Sequence, residues 1–192
     1  MKPAFTFFLI FCSVFAYSQS VLPTDEKGKV VFIEVVKTDS LGKELLYENA
    51  GKWLQANNFQ IQVSAEDSIA GKWVARQSFP VYARGYISKK IHGKINYTLT
   101  VAVKENRYRY EFSDFTFDYY KENRNYEMVP TGKHKALEEP QASGWQSLWV
   151  QHKKTTSNTI NTLIGSLKTA MIDIPKPKTE TVLSKKAASQ DW

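Results

Sequence analysis

The chain has 192 residues, with 26 Lys and Arg against 19 Asp and Glu, and is 42% hydrophobic and 14% aromatic. That suits one globular domain and excludes wholesale disorder, a collagen-like chain and a multi-span membrane protein. A single Cys excludes an internal disulfide framework.

Residues 1–20 read MKPAFTFFLIFCSVFAYSQS. Lys2 forms a positive start, Phe5 to Phe15 an apolar run, and Ala16-Tyr17-Ser18 a small-x-small cut site before Gln19. This is the layout of a secretory signal peptide over residues 1–18, and the run is short for a bilayer span. Bulky Phe11 before Cys12 argues against a lipid-anchored Cys12. Cleavage after Ser18 removes Cys12, and with it thiol catalysis, Cys-bound zinc and disulfides. It also removes Lys2, which leaves 25 basic against 19 acidic side chains. On an exported chain such an excess favours anionic glycans or membrane surfaces as partners over nucleic acid.

After a polar leader, residues 29–37 (KVVFIEVVK) predict a strand. Asp39-Ser40 predicts a helix N-cap. Leu46, Ala50, Trp53 and Leu54 form one stripe of a helix over 41–57, which ends at Asn57-Asn58. Phe59, Ile61 and Val63 alternate with polar residues over 59–66, and residues 69–79 predict a further short strand. Residues 81–91 read as a connection or frayed strand, because Gly85 and Lys89-Lys90 disfavour a central position.

The strongest pattern follows. Ile95, Tyr97, Leu99, Val101 and Val103 alternate strictly with polar or small residues. Glu105-Asn106 supplies a hairpin turn. Tyr108, Tyr110 and Phe112 continue on even numbers, and Phe115, Phe117 and Tyr119 take over on odd ones. A β-bulge at Ser113-Asp114 reconciles the two phases. Residues 120–142 are polar and turn-rich and read as a long loop. Ser143 then caps a helix over 143–173, whose stripe runs from Trp145 through Trp149, His152, Thr156, Ile160 and Leu167 to Met171. Pro175 and Pro177 end it, and 174–192 read as a flexible basic tail. The fold class is α+β: one domain over 19–173, with a curved antiparallel sheet of about five strands and two helices on one face.

Several separated motifs carry a likeness to a known family. They are Leu22-Pro23, Gly28-Lys29-Val30, Glu34-Val35-Val36, Leu46-Tyr47, Trp53-Leu54, Gly71-Lys72, Tyr97-Thr98-Leu99, Arg107-Tyr108-Arg109-Tyr110 and Asp114-Phe115. Over about residues 22–119 the chain resembles the bacterial domain of unknown function 4468 family, which has a TATA-binding-protein-like fold. The resemblance implies an exported bacterial protein with a curved sheet backed by helices. It supplies no activity, cofactor or site residue, and its name does not imply DNA binding.

No motif for catalysis stands out. His92, His134 and His152 show no metal-ligand spacing, and His152, on an apolar stripe, reads as a packed histidine. Asp114 and Asp118 could share a face and act as a carboxylate pair or a weak cation site, although a bulge also accounts for polar residues there. There is no serine-nucleophile motif and no Gly-rich phosphate loop. The remaining candidate is a basic surface. Arg107 and Arg109 should point away from Tyr108 and Tyr110, joined by Lys94 and Lys104. The sequence therefore predicts an exported, non-enzymatic binding or accessory protein of the bacterial envelope, periplasmic or on the outer envelope, with no cofactor or metal. Its partner would be an envelope protein, an anionic glycan or the membrane surface, the last through the basic tail. The alternative is an envelope hydrolase or metal-assisted enzyme using Asp114, Asp118 or His92.

Overall fold

A computed structural model describes residues 22–62, 65–84, 89–140 and 145–174. The expected signal segment 1–18, Gly85, Ser143 and the residues after 174, where a tail is expected, lie outside the described residues. In chain order the elements are β1 (Phe32–Lys37), α1 (Lys43–Ala56), β2 (Gln60–Ile61), α2 (Ala65–Ala70), β3 (Lys72–Arg84), β4 (Lys89–Lys104), β5 (Arg107–Glu122), β6 (Met128–Ala136) and α3 (Gln146–Met171).

All six strands join one antiparallel sheet in the order β1-β5-β4-β3-β2, with β6 also on β5. β5 is shared along its outer edge: residues 107–112 pair with β1, and 116–122 pair with β6. The predicted bulge falls between those halves. Asn96 pairs with Thr116 and Thr98 with Ser113, so Asp114 and Phe115 together oppose Tyr97. Asp114 takes φ 56°, the left-handed region that a short Asp side chain tolerates better than a branched one. The extra residue carries the buried series from Tyr108, Tyr110 and Phe112 onto Phe115 and Phe117 without a break.

The helices cover the face that these aromatics share with Ile95, Tyr97, Leu99, Val101 and Val103 of β4. α1 contributes Leu46, Ala50, Trp53 and Leu54, and α3 contributes Trp149, Ile160, Leu167 and Met171. Among the described glycines the tightest is Gly93, where a Cβ would lie 2.2 Å from the Asp118 carbonyl and 2.4 Å from the Phe117 ring. Only glycine lets β4 pass under that ring.

Four expectations need correction. The helix α1 is not capped by Asp39-Ser40: its N-cap is Gly42, and Ser40 sits at φ 57° in the preceding turn. The Lys43 amide instead donates to Glu105 Oε1 (3.3 Å), from the β4–β5 turn. Of residues 81–91, the described ones, 81–84 and 89–91, are no loose connection, because β3 and β4 stay paired to Arg84 and Lys89. Pro80 is accepted because β2 covers β3 only at Ala75 and Arg76, leaving the other edge of β3 open there. Residues 65–70, split between two expected strands, form the short helix α2. The long loop 120–142 instead holds the end of β5 and all of β6, so the sheet has six strands and His134 is a strand residue.

Candidate functional site on the uncovered sheet face

Period-two alternation decides what the uncovered face shows. The side chains opposite the core are Ile33 and Val35 of β1, the odd-numbered start of β5, and the even-numbered residues of β3 up to Pro80 and of β4 from Lys94 onward, before the register shift at Val81/Tyr82 reverses the parity. Ile33 and Val35 are 54% and 57% exposed, although both are large and apolar.

All four predicted basic residues fall on this face, but they do not form one patch. Lys104 pairs with Arg107, and Ala102 with Arg109, at one end of the β4–β5 ladder. Val35 pairs with Arg109 from β1. Together Val35, Ala102, Lys104, Arg107 and Arg109 border a 410 Å³ hollow with an apolar floor and a cationic rim. Arg109 leans on Glu111 at 3.7 Å, whereas Lys104 and Arg107 make no ion pair with any described residue. Lys94 stands at the far end of the ladder, paired with Asp118, ten positions along β4 from Lys104. At about 3.4 Å per residue that separation exceeds 30 Å, so Lys94 belongs to a different neighbourhood. Its ammonium lies 5.8 Å from the centre of the Tyr120 ring.

That second neighbourhood is a polar groove of 760 Å³ over the bulge, which the sequence reading did not foresee. Asp114 and Asp118 both line it, with Arg76, Ser78, Asn96, Thr98 and Thr116. The register puts Arg76 of β3 beside Thr98 of β4, and Thr98 beside Ser113 of β5, next to Asp114. A guanidinium and a carboxylate thus flank a hydroxyl row, about two strand spacings or 10 Å apart at the backbone. Asp118 has Lys94 on one side and His134 of β6 on the other in the strand register. Among the described residues no three His, Cys, Asp or Glu side chains gather in a way that could hold a metal. The carboxylate pair therefore has no third ligand there.

The covered face holds one arrangement that sequence spacing could not reveal. His92 of β4 meets His152 of α3, with Nδ1 and Nε2 2.8 Å apart, so the N–H of one ring donates a hydrogen bond to the bare nitrogen of the other. Phe117 stacks on His152 at 5.6 Å, and Trp145 lies 4.4 Å from His92. His152 is 1% exposed. Burial, then the charge of His92, pushes the His152 imidazole down to about 4, and burial lowers His92 as well. Both rings are thus held neutral, His152 buried and His92 half-buried among aromatic rings. The packed reading of His152 fits this setting, and His92 faces the core rather than the groove.

At the other end of α3, Lys168 donates to both oxygens of Glu34 (2.9 and 2.7 Å), and the Tyr110 hydroxyl donates to Glu34 Oε2 at 2.5 Å. The Lys168 bond, then the Tyr110 bond, holds the Glu34 carboxyl below its ordinary range. Asn49 of α1 caps the same end of α3 by donating to the carbonyls of Met171 (3.3 Å) and Asp173 (2.8 Å). These bonds fix α3 across the core and keep it off the opposite face.

Residues 32–118 match a family model described as a domain of unknown function (DUF4468) with TBP-like fold. The family resemblance carried by the short motifs is borne out over that segment. A TBP-like protein from Parabacteroides distasonis is similar in structure, with TM-score 0.58 and 15% identity, over 81% of this chain and 100% of that one. A DUF4468 family protein from Bacteroides ovatus is similar at TM-score 0.59 and 16% identity, over 81% of this chain and 93% of that one. At these identities the likeness is one of fold, and it bears out the α+β sheet with helices packed on it. No curated protein matches the chain.

Proposed function

We propose that this is an exported, non-enzymatic binding or accessory protein of the bacterial envelope, and that it works through the uncovered sheet face. One observation carries the reading. The helices cover one face, and the other presents an amphipathic hollow whose rim cations, Lys104 and Arg107, have no ion-pair partner among the described residues. Such cations above an apolar floor suit an anionic glycan: charge attracts the polymer, and the exposed Val35 contacts its sugar rings. Export is supported by the layout of residues 1–18.

Two measurements test the reading. Protein recovered from a bacterial envelope should have the intact mass of a chain beginning at Gln19, and a mass that retains Met1 through Ser18 rejects export by cleavage. On a dextran sulfate column the protein should be retained at low salt, and Arg107→Glu with Arg109→Glu should abolish retention. Equal retention of the variant rejects this face as the binding surface.

A further inference from the structure

The polar groove over the bulge is a separate place from the cationic hollow, and its chemistry differs. We propose that it binds a short peptide of two or three residues with both ends free, the carboxylate on Arg76 and the ammonium on Asp114. The inference rests on the reading that the uncovered face is the working face, and it names a small ligand for its other end.

Three features of the groove favour that occupant. The first is size. A volume of 760 Å³ is in the usual range for a small-molecule site. The second is charge placement. Arg76 and Asp114 stand on β3 and β5 with Thr98 of β4 between them. Their backbone separation of about 10 Å matches an extended tripeptide, at about 3.3–3.6 Å per residue. A single amino acid is too short to reach both without bending the two side chains inward. Arg76 has no ion pair and no side-chain hydrogen bond with a described residue, and Asp114 has only a 3.5 Å contact from its neighbour Ser113. Asp118 is less suited to the ammonium, because Lys94 and His134 flank it in the strand register.

The third feature is the lining between the charges. Asn96, Thr98 and Thr116 offer one amide and two hydroxyls, which can both donate to and accept from peptide groups. The aromatic residue on the lining is Tyr97, whose ring is buried on the core face and stacks on Phe115. The groove therefore offers no ring for a sugar to stack on, and little for a lipid tail. The strained φ at Asp114 also acquires a use: the bulge turns this carboxylate toward the groove at the point where the strand reverses its alternation.

The test is titration of the ¹⁵N-labelled protein with trialanine, with acetyl-trialanine-amide and maltotriose as controls. Trialanine should shift the Asn96, Thr98 and Thr116 amide resonances saturably. Blocking both ends should weaken binding at least about tenfold, as expected when charge-assisted hydrogen bonds are lost. Arg76→Gln and Asp114→Asn should each weaken trialanine by about tenfold. Arg76→Gln should not affect trialanine amide, which has no carboxylate to lose. No saturable shift, equal binding of the blocked peptide, or maltotriose binding in its place overturns the inference. Dextran sulfate retention keeps the two readings apart. Retention that depends on Arg107 and Arg109 without peptide binding overturns the peptide site alone, and loss of both overturns the uncovered face as a whole.

Discussion

The two faces of β5 carry the same backbone and opposite demands. On one, Tyr108, Tyr110, Phe112, Phe115 and Phe117 are buried beneath the helices, and the ring of Phe117 lies against Gly93, His152 and Trp149. On the other, Arg107, Arg109, Asp114 and Thr116 border two open hollows. A close-packed side leaves no room for added atoms, whereas a solvated side accepts substitution at little cost in stability. Stability and recognition are thus assigned to opposite faces of one strand, and mutations should separate them.

The largest effect should come from Gly93→Ala. Backbone and ring atoms both stand within 2.4 Å of the new methyl group, so either the β4–β5 ladder or Phe117 must move. Urea denaturation should show a loss of about 3 kcal/mol or more, at the upper end of overpacking effects. An unchanged midpoint would mean that the covered face has slack.

Acidification should come next. Both histidines are held neutral when folded, so the unfolded chain binds more protons at low pH. The stability associated with His152 is complete above its unfolded value of about 6.5 and is lost as pH falls toward about 4. The loss is on the order of 3 kcal/mol for that ring. Urea midpoints measured from pH 7 to 4 should fall accordingly, and His152→Leu should flatten the slope. A slope unchanged by that substitution would remove the histidine pair from the account.

The charge reversals Arg107→Glu and Arg109→Glu should leave stability within about 0.5 kcal/mol while dextran sulfate retention disappears. Parallel losses of stability and retention would break the division between the faces. Tyr108→Phe should act in the opposite direction, on the covered face. The Tyr108 hydroxyl is buried without a hydrogen-bond partner among the described residues, and burial, then the Glu34 charge, pushes its pKa up to about 12. Removing it should raise stability by up to about 1 kcal/mol, since no bond is lost and an unpaired polar group is relieved. A clear fall in the urea midpoint would show that the hydroxyl has a partner after all.

How much of this was legible in the sequence varied with the signal each segment carries. Strict alternation exposed β4 and the first half of β5, and the slip from Phe112 to Phe115 located the bulge from side-chain parity alone. Parity also placed Lys94, Lys104, Arg107 and Arg109 on one face. Their spread was legible too: Lys94 and Lys104 lie ten residues apart on one strand, which at about 3.4 Å per residue already separates them by more than 30 Å, so treating the four as one surface overlooked the strand rise. β6 was illegible because an edge strand with lysines, a histidine and Pro130 lacks the apolar rhythm of a covered one. The groove was missed for a different reason. Arg76, Thr98 and Asp114 come from three strands, and only the register between those strands brings them together.

The position of β1 also bears on how the chain reaches this state. β3, β4 and β5 form a meander in which each strand pairs with the next, so their contacts close over short loops. β1 is made first, yet its partner is β5, with α1 through β4 intervening. Its pairing must wait until the meander exists, and that closure costs the most chain entropy. Until then Phe32, Ile33, Val35 and Val36 form a bare apolar segment near the start of the chain. On the proposed export from the N-terminus, this segment would emerge early and find its place late, so a holding chaperone would act on it first.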